Sequence, residues 1–521
     1  KRKGNRNMEY ENPILSGFYP DPSVCRVGED FYMVNSTFEY LPGIPVFHSR
    51  DLVNWEQIGH CITRPSQMTF PGTKASKGLY APTIRYHAGT FYMVCTNTSI
   101  GETGNFVVTS DNPRGPWSDP VWFSQTGIDP SLLFDDDGSV YLTSNGWGET
   151  TGRRGNVGYI QQSRVDIRTG AVTEGPRVIS LGTGGRCVEG PHLYKINDWY
   201  YLLLAEGGTE TGHMITVFRS RSPWGPFEPG PDNPVLTARD EARPVLTGTG
   251  HGDLFEDDYG NWWIVFLCYR ISTVKYHHLG RETALLPVIW ENGWPKAAGG
   301  KCAEVHVAAA VNGRDSVRQA AREGEYFFDD FSGKSLNLKW NFIREFFDGY
   351  ESGDEKEGLI LHGRPENLSD GACPAFIGRR QCHMMMECSV DLSFHPAHEW
   401  EEAGIAVLCS DHAHYDLGIR KRGDRRYVLL HRRVEDMESV TERVLPADKM
   451  VTLYIEADRE QYTFGFVSRG EKHVVGTGMV KLLSTEVIWG FTGVYVGVYA
   501  TGNGRACDTP AGIRRFSYQG T

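Results

Sequence analysis

Short runs of alternating apolar and polar residues fill the chain as far as Pro295, and no long run shows the 3.6-residue period of an amphipathic helix. Five segments follow one pattern: a short polar or Pro/Gly element leads into a strand, a turn through Gly, Asn or Asp, and an aromatic-rich strand. They are "DPSVCRVGEDFYMV" from Asp21, "APTIRYHAGTFYMV" from Ala81, "DPSLLFDDDGSVYL" from Asp129, "EGPHLYKINDWYYL" from Glu189 and "HGDLFEDDYGNWWI" from His251. The pattern predicts a β-hairpin that is repeated five times.

The spacing of these segments predicts the larger unit to which each hairpin belongs. Their starts are 60, 48, 60 and 62 residues apart, which is enough for two hairpins and their connections, or one four-stranded blade. Three units also share a second half that runs strand, Ser, turn and Trp or Phe, as in "VFHSRDLVNWEQIG". Five such units predict a five-bladed β-propeller over residues 12–295, within the usual range of about 4 to 8 blades.

The pattern changes on both sides of this region. Residues 296–325 are rich in Ala, Gly and charge, and we expect a connector with one short helix and an extended crossing. Residues 326–521 contain many alternating segments, such as "AGIAVLCSD" and "MVTLYIEAD", which predict an antiparallel β-sandwich. Residues 1–11, which begin "KRKGNRN", are predicted to be a tag remnant or a disordered tail. The predicted fold class is therefore all-β.

The composition narrows the range of partners. A formal charge of −12 and a pI near 5.8 argue against a surface for nucleic acid or anionic membranes, which bind clustered Lys and Arg. No stretch has the roughly 20 apolar residues that span a bilayer. The eleven cysteines are scattered without a C-x-x-C pair, so neither a disulfide framework nor a zinc site of paired cysteines is expected. With Met8 as the initiator there is no export signal, and we expect a cytoplasmic location.

The repeat has a chemical consequence, because the first strand of every propeller blade lines the central channel. The residues that open the five units are Asp21, Ala81 (preceded by Tyr80), Asp129, Glu189 and His251. Three carboxylates and a histidine are thus expected to meet near one mouth of the channel. Any single Asp-Pro or Asp-Gly element is more often a turn former, but Asp21, Asp129 and Glu189 share one position in the repeat.

Paired carboxylates beside a neutral substrate are the equipment of glycoside hydrolysis, in which one donates a proton and the other acts ionised. A third carboxylate raises the pKa of the acid, because neighbouring like charges resist ionisation. His251 taken alone fits a buried core histidine and a ligand or substrate contact equally well. The stretch "DHAHYD" from Asp411 to Asp416 has a metal-like composition but alternates as a strand does, and we expect it to form an exposed face.

The motifs resemble those of glycoside hydrolase family 43, in its β-xylosidase and α-L-arabinofuranosidase branch. They are the stretch from "NPILSGFYPDPSV" to "HSRDLVNW", then "GIDPSLLFDDDG", "VEGPHLYKINDWYYLLLAEGGT", "GHGDLFEDDYGNWW" and "LGRETALLPVIWENGWP". The resemblance covers residues 12 to 521 and is weakest in the connector and much of the sandwich. It implies a five-bladed propeller followed by a concanavalin-like β-sandwich, and an inverting mechanism with a single displacement.

The resemblance also implies roles for individual residues. Asp21 matches the general base, Glu189 the general acid, and Asp129 the carboxylate that tunes and positions the acid. Phe38 of "STFE" and Arg281 of "GRET" match residues that shape the pocket for the terminal sugar. His251 matches a histidine that lies beside a channel metal ion in some relatives; no cofactor is expected to be required, and calcium is the ion expected if one binds.

Two departures from the family pattern affect the pocket. Many relatives have Trp-Ala-Pro where this chain has "GLYAPT", so Tyr80 presents a smaller platform with a hydroxyl group. The segment "TGVYVG" matches a loop of the sandwich that closes the pocket, with Tyr495 at a position where relatives have Phe. Such a closed pocket implies exo action, the removal of one sugar from the non-reducing end.

These features predict a β-D-xylosidase with α-L-arabinofuranosidase activity on xylo- or arabinoxylo-oligosaccharides. One alternative is an enzyme that is mainly an α-L-arabinofuranosidase, and a more remote one is a carbohydrate-binding propeller without catalysis. A fructan or sucrose hydrolase would show an Asn-Asp-Pro element and a Glu-Cys pair, whereas this chain has Pro-Asp-Pro and Glu-Gly. An endo-arabinanase would need an open groove. The sandwich is a candidate surface for a homodimer or tetramer.

Overall fold

The computed structural model describes residues 5–99, 104–149, 156–313, 325–352 and 358–520. Within these ranges the helical structure consists of a 3-10 turn, Val480–Leu483, and a single-turn α-helix, Thr485–Ile488. The rest is strands and loops, so the predicted all-β class is confirmed. None of the helical segments in the described ranges has the length and apolar character that would cross a bilayer.

Five antiparallel sheets form the N-terminal domain, and in each of them the four blade strands follow one another in sequence order. Blade 1 contains Ser23–Val27, Asp30–Val34, Gly43–Ser49 and Glu56–Ile62; blade 2, Leu79–His87, Thr90–Asn97, Gly104–Ser110 and Val121–Trp122; blade 3, Ser131–Phe134, Val140–Glu149, Asn156–Val165 and Val172–Ser180; blade 4, Glu189–Ile196, Trp199–Glu206, Met214–Ser220 and Glu228–Pro229, with Leu236–Thr237 beside its third strand; and blade 5, Leu246–Glu256, Trp262–Arg270, Glu282–Glu291 and Trp294–Ala297. The first strands of neighbouring blades contact one another in cyclic order, and blade 5 returns to blade 1. This is the predicted five-bladed propeller.

The N-terminal residues are part of this domain. Strand Asn5–Glu11 pairs antiparallel with strand His306–Asn312 of the connector, and the side chains of Met8 and Tyr10 are buried against blade 5. The Tyr10 hydroxyl donates a hydrogen bond to the carbonyl of Leu285 over 2.8 Å. The prediction of a disordered tail is therefore wrong for residues 5–11, because the connector supplies a strand partner. The connector holds no helix in its described residues 296–313, and residues 314–324 lie outside the described ranges.

The C-terminal domain is a sandwich of two larger antiparallel sheets. The first has eight strands: Tyr326–Asp329, Tyr350–Ser352, Leu359–Leu361, Met386–Ser393, Val451–Ala457, Gln461–Ser468, Glu471–Met479 and Ala511–Gly520. The second has six: Ala375–Arg380, Glu402–Ser410, Ala413–Arg422, Arg425–Val434, Met437–Val444 and Tyr495–Thr501. Alternate residues of both sheets, such as Val390, Ile405, Leu417 and Phe464, form one core between them.

The sandwich packs directly on the propeller. Strand Phe342–Ile343 pairs with strand Tyr40–Leu41 of the propeller, and an aromatic cluster combines residues of both domains. Its members include Phe18, Phe38, Tyr40, Phe376, Tyr495 and Tyr499. Arg380 of the sandwich also donates a hydrogen bond from Nε to the carbonyl of Phe18 over 2.6 Å. Because Phe18 lies three residues before Asp21, this interface supports the mouth of the channel.

Candidate active site

Each of the five blades has the same unusual backbone conformation at one residue in, or just before, its first strand. The left-handed residues are Asp21, Ala81, Asp129, Gly190 and His251, with φ of 53°, 40°, 56°, 55° and 46°. Positive φ is uncommon for residues other than glycine and accompanies bulges at strand starts. In three blades the pairing of the first two strands shifts register at this point, between Tyr80 and Thr83, Glu189 and His192, and Gly250 and Asp253. The repeat therefore turns the backbone at the channel mouth before each strand continues inward.

This conformation corrects the alignment of blade 4. The residue of blade 4 that corresponds to Asp21 and Asp129 is Gly190, so Glu189 lies one position earlier in the repeat than predicted. Glu189 corresponds instead to Tyr80 in blade 2, which also lies one residue before the left-handed position. Glu189 and Tyr80 thus occupy equivalent positions in blades 4 and 2. The three carboxylates still converge, although they do not share a single repeat position.

Asp21 is buried, and its carboxylate has three close side-chain partners. Ser36 donates from Oγ to Asp21 Oδ2 over 2.6 Å, Arg281 donates from Nη1 to Oδ1 over 3.3 Å, and His251 Nδ1 lies 3.6 Å from Oδ1. Burial alone would raise the pKa of Asp21, but Arg281, His251 and the hydrogen bond from Ser36 together bring it below its ordinary value. Asp21 is therefore a carboxylate at neutral pH, which suits a base.

Asp129 and Glu189 have the opposite tendency. Asp129 accepts a hydrogen bond at Oδ2 from the backbone N–H of Gly190 over 3.0 Å, yet burial and the nearby Asp21 raise its pKa. Burial, Asp129 and Asp21 raise the pKa of Glu189 to about 8. Glu189 is therefore largely protonated at neutral pH. A pair of carboxyl groups whose pKa values are driven apart identifies an acid and a base.

Gly190 lies in close contact with the ring of His251. A Cβ atom on Gly190 would lie 3.2 Å from both Cδ2 and Cε1 of the His251 ring, closer than ordinary van der Waals contact. The "EGPH" motif thus lets the Glu189 backbone approach the histidine that also faces Asp21.

The predicted sugar-contact residues form a wall beside the carboxylates. The rings of Phe38 and Tyr80 have centroids 4.8 Å apart, and the Arg281 guanidinium carbon lies 5.6 Å from the Phe38 ring. Arg281 also donates from Nη1 to the hydroxyl of Thr209 over 3.1 Å. Arg281 Nε is buried and has no hydrogen-bond partner among the described residues. The wall therefore offers a sugar ring a stacking surface beside the guanidinium group of Arg281.

The sandwich closes this wall with a residue that we did not predict. Phe491 stacks on Phe38 with centroids 5.8 Å apart, lies 5.4 Å from the Arg281 guanidinium carbon, and its carbonyl accepts a hydrogen bond from Arg281 Nη2 over 3.4 Å. The backbone N–H of Phe491 donates to Ser76 Oγ over 2.9 Å, and the Tyr80 hydroxyl donates to the Ser76 carbonyl over 2.6 Å. Ser76 thus joins the capping loop, residues 489–494 of the sandwich, to Tyr80 of the wall.

The prediction that Tyr495 contacts substrate is wrong. Tyr495 is fully buried, and its ring stacks on Tyr40 with centroids 3.9 Å apart. The reason is that Tyr495 begins strand Tyr495–Thr501, all of whose residues are buried, whereas the preceding loop reaches the channel mouth. The aromatic residue four positions earlier, in "WGFTG", is the one that caps the pocket. Its place between glycines was the available signal.

A close glycine contact lets this loop reach the propeller. A Cβ atom on Gly493 would lie 2.2 Å from the Leu279 carbonyl oxygen, so the backbones of the "GRET" segment and the capping loop touch. The backbone N–H of Val494 donates to the carbonyl of His278 over 2.9 Å. Eight residues before Val494, Glu486 accepts hydrogen bonds from the backbone and the ring of His277. The sandwich is therefore attached to the propeller right beside Arg281.

A second layer of the channel lies below the carboxylates. The residues two positions after each left-handed residue are Ser23, Thr83, Ser131, His192 and Asp253. Asp253 is fully buried and accepts hydrogen bonds from Ser23 Oγ over 2.6 Å, Arg85 Nη1 over 2.8 Å and Tyr194 Oη over 2.6 Å. These partners come from blades 1, 2 and 4, so Asp253 of blade 5 connects four blades beneath the site.

The donor set around His251 bears on the expectation of calcium. Calcium takes 6 to 8 oxygen ligands, mainly carboxylates and carbonyls. Among the described residues, His251 does not belong to a group of three histidine, cysteine or carboxylate ligands that could share one ion, although its Nδ1 lies 3.6 Å from Asp21 Oδ1. In the part of the chain that the structure describes, the histidine and carboxylate side chains around His251 do not by themselves make up a calcium site.

A propeller whose mouth holds an ionised carboxylate and a protonated one, beside stacked aromatic rings, defines a glycoside hydrolase. Residues 10–295 match the model for glycosyl hydrolases family 43, and residues 328–519 match that for the β-xylosidase C-terminal concanavalin A-like domain. The chain belongs to glycoside hydrolase family 43. The family, the propeller and the concanavalin-like sandwich implied by the sequence are thereby confirmed.

Named relatives cover almost the whole chain. A non-reducing end α-L-arabinofuranosidase of Bacteroides ovatus is 42% identical over 516 residues, which are 98% of this chain and 94% of the relative. A xylosidase/arabinosidase of Butyrivibrio fibrisolvens is 35% identical over 98% of this chain and 99% of its own length. The solved structure of a xylan β-1,4-xylosidase from Bacillus halodurans has a TM-score of 0.90 at 32% identity, and covers 98% of this chain and 100% of its own.

Proposed function

We propose that this chain is an inverting, exo-acting hydrolase that removes a terminal pentose from the non-reducing end of xylo- or arabinoxylo-oligosaccharides. The observation that carries the proposal is the opposite protonation of Asp21 and Glu189 at one capped mouth. An ionised base and a protonated acid are both present at neutral pH, as this reaction requires.

In the proposed single displacement, a water molecule attacks the anomeric carbon as the bond from that carbon to the leaving oxygen breaks. Asp21 accepts the proton of the water, and Glu189 gives its proton to the leaving oxygen. Asp129 keeps the pKa of Glu189 high and holds the backbone of Gly190. Arg281 keeps Asp21 ionised through its charge and can reach sugar hydroxyl groups with its remaining donors.

The exo mode is supported by the cap. Phe491 covers one side of the aromatic wall, and the contact between Gly493 and Leu279 leaves no gap between the capping loop and the propeller there. A polysaccharide chain that ran through the site would have to pass this contact. A terminal sugar needs only one open side, so the architecture favours release of one residue at a time.

The sugar specificity has two candidates. We propose β-D-xylosidase action with α-L-arabinofuranosidase activity, because relatives named for both activities cover 98% of the chain. An enzyme that is mainly an α-L-arabinofuranosidase is the second candidate, and it is favoured by the 42% identity to a relative of that name. The ratio of kcat/KM on the nitrophenyl derivatives of the two pentoses decides between them.

The test of the reaction uses Asp21→Asn and Glu189→Gln, with Asp137→Asn in an exposed turn of blade 3 as the control. Both site variants should lose turnover of xylobiose. Glu189→Gln should keep more activity on a nitrophenyl pentoside, because nitrophenolate leaves without a proton. The first sugar released should have the anomeric configuration opposite to that of the substrate, as read by proton NMR. Unchanged turnover in both variants would remove the catalytic assignment.

The proposed reaction needs no cofactor. Its acid, base and charge-stabilising groups are all side chains of the chain itself. Treatment with a chelator should leave kcat/KM on the nitrophenyl pentosides unchanged. A loss of activity that calcium restores would instead support a cation beside His251, with water completing its coordination.

A further inference from the structure

Three side chains suited to metal binding meet in the sandwich, far along the chain from the catalytic residues. His414 and Asp416 are two residues apart on strand Ala413–Arg422, so they share one face of the sheet. His431 is paired directly with Asp416 across the neighbouring strand. The alternate residues Tyr415 and Leu417 face the core between the two sheets. The cluster therefore lies on the outer face of the six-stranded sheet.

The donor atoms of this cluster are close together. His414 Nδ1 lies 2.8 Å from Asp416 Oδ1, and His431 Nδ1 lies 3.3 Å from Asp416 Oδ2. One donor atom from each residue lies within 4.8 Å of the others. Zinc bonds of about 2.0 to 2.2 Å in a tetrahedron place neighbouring ligand atoms about 3.3 Å apart. Small side-chain movements would therefore bring all three donors onto one ion.

The cluster is buried, contrary to the exposed face that we predicted for "DHAHYD". His414 is 0% exposed and Asp416 is 5% exposed, whereas the His431 side chain is 21% exposed. The segment that carries Leu368 and Ser369 covers this part of the outer face. A buried carboxylate such as that of Asp416 is unfavourable unless it is paired. Because the His431 side chain is partly exposed, an ion can reach Asp416 from that side.

The outer partners of both histidines match those of metal ligands. Ser369 Oγ lies 3.0 Å from His414 Nε2, and Glu438 Oε2 lies 3.6 Å from His431 Nε2. A histidine that binds a metal through Nδ1 carries its proton on Nε2 and donates it to a nearby oxygen. Both rings have such an oxygen beside Nε2, on the side away from Asp416. The Nδ1 atoms of both rings therefore face the Asp416 carboxylate, where an ion would bind.

The local charges favour a cation. The His431 ring lies between two carboxylates, with Nδ1 3.3 Å from Asp416 Oδ2 and Nε2 3.6 Å from Glu438 Oε2. Arg420 pairs with Glu402, and Arg433 pairs with Glu438 over 3.2 Å. The two arginines neutralise Glu402 and Glu438. The negative charge of Asp416 can then be balanced by a protonated histidine or by a metal ion.

We propose that His414, Asp416 and His431 bind one divalent transition-metal ion of the zinc type, with water as the fourth ligand. Imidazole and carboxylate donors suit this class of ion, whereas calcium prefers oxygen ligands alone. The ion joins two strands of the six-stranded sheet and, through Ser369, fixes the segment that covers them. Its function is structural, since the cluster belongs to a different domain from Asp21 and Glu189.

A rival interpretation of the same residues is a nucleophilic triad, because Ser369, His414 and Asp416 are linked by contacts of 3.0 and 2.8 Å. Such a triad needs free backbone N–H groups to stabilise an oxyanion. The N–H of Ser369 donates to Asn367 Oδ1 over 2.8 Å, and that of Asp370 donates to the Asn367 carbonyl over 3.3 Å. Both nearby donors are occupied, and His414 is inaccessible, so the metal site is the better explanation.

The test measures zinc and cobalt binding to the full-length, tag-free chain after removal of metal with a chelator. We expect one equivalent of zinc by calorimetry, a rise in Tm with zinc, and the visible absorption of four-coordinate cobalt. His431→Asn should weaken zinc binding at least about 100-fold and remove the cobalt absorption, since it deletes a ligand. Ser369→Ala should weaken binding about 10-fold to 100-fold, as loss of an outer partner does.

The matched control is His412→Asn, in the same stretch of sequence. The His412 side chain is 58% exposed, and it is not part of the cluster. This variant should bind zinc as the wild type does. Hydrolysis of a nitrophenyl pentoside at the wild-type rate shows that His431→Asn is folded. If that variant does not fold, Ser369→Ala keeps the proposal testable, because it removes only the outer partner of His414 and should still weaken zinc binding about 10-fold to 100-fold.

Three results would overturn the proposal. The first is failure of the metal-free wild type to bind zinc or cobalt. The second is binding by His431→Asn with the affinity of the wild type, which would assign the ion elsewhere, for example beside His251. The third is hydrolysis of nitrophenyl acetate that is abolished by Ser369→Ala, together with no metal binding, which would favour the nucleophilic triad.

Discussion

The backbone N–H of Gly190 donates a hydrogen bond to Oδ2 of Asp129 over 3.0 Å, and this bond connects two blades at the channel mouth. Gly190 directly follows Glu189, so Asp129 influences the proposed acid in two ways. Its hydrogen bond positions the backbone from which Glu189 projects. Its negative charge opposes ionisation of the Glu189 carboxyl group.

These two influences can be separated with Asp129→Asn. The amide oxygen can still accept the hydrogen bond from Gly190, but the charge is lost, so the pKa of Glu189 should fall below about 8. Activity requires protonated Glu189 and declines as pH rises through that pKa. The basic limb of the kcat/KM profile should therefore move to lower pH. Asp137→Asn, in an exposed turn of the same blade, should leave the limb in place, and an unmoved limb in Asp129→Asn would contradict this role.

Arg281 should control the acidic limb of the same profile. Arg281 contributes most to lowering the pKa of Asp21, and activity requires ionised Asp21. In Arg281→Ala the pKa of Asp21 should rise, so the acidic limb should move to higher pH and KM should increase. Arg281→Lys keeps the charge without the planar fork, so its limb should move less while KM still rises. Identical limbs in both variants and the wild type would exclude the electrostatic role.

Ser76 is predicted to position the cap without touching the reacting atoms. Ser76→Ala removes the oxygen that accepts the hydrogen bond from the N–H of Phe491 over 2.9 Å. Loss of one such bond corresponds to about 0.5 to 1.5 kcal/mol, so kcat/KM should fall roughly 2-fold to 10-fold, mainly through KM. Phe491→Ala should produce a larger loss of the same kind. A change in the pH limbs instead would indicate that Ser76 acts on the carboxylates through Phe491 and Arg281.

The reassigned Tyr495 leads to a prediction about stability. Its hydroxyl group is buried and has no hydrogen-bond partner among the described residues. Tyr495→Phe keeps the stack on Tyr40 and removes that unpaired group, so the free energy of unfolding should rise by about 1 kcal/mol with unchanged kcat/KM. Tyr499→Phe, on the same strand, is the matched comparison and should destabilise, because the Tyr499 hydroxyl donates to Glu402. Lower activity in Tyr495→Phe would restore its predicted role as a substrate contact.

Asp253 should make the propeller sensitive to acid. Burial would raise its pKa, but Arg85, His192 and the hydrogen bonds from Arg85 and Ser23 place it well below the ordinary value. A carboxyl group with a lowered pKa stabilises the fold above its unfolded pKa of about 3.9, and this contribution is lost as pH falls through the folded pKa.

Removing Asp253 should therefore destabilise strongly. Asp253→Ala leaves Arg85 without its buried partner, and the free energy of unfolding at pH 7 should fall by about 3 to 5 kcal/mol. The difference from wild type should shrink at low pH, as measured by denaturant unfolding across pH. Asp198→Asn, whose side chain is 91% exposed, should show no such loss. A loss that stays constant with pH would indicate a packing defect rather than a missing charge.

Much of the fold was readable from local patterns. Each hairpin depends on the alternation of apolar and polar residues over a few positions and on a turn between two strands. Both signals come from residues that are neighbours in the sequence, such as "NDWYYL". The convergence of Asp21 and Asp129 followed from the repeat, because equivalent strands of a propeller share one axis. The N-terminal strand was missed because residues 5–11 pair with a strand about 300 residues later, and no local signal predicts that partner.

Local sequence patterns predict only part of the active site. The sequence determined which carboxylates face the channel and that a glycine-rich segment near the C-terminus caps it. Tertiary structure alone decided that Gly190, rather than Glu189, occupies the repeat position, that Phe491 caps the pocket while Tyr495 is buried, and that His414 and Asp416 meet His431 under a covering segment. It also decided that Asp21 is ionised while Glu189 is protonated. The physical reason is that a pKa, a stacking partner and the buried face of a strand depend on charges and surfaces brought together from distant parts of the chain.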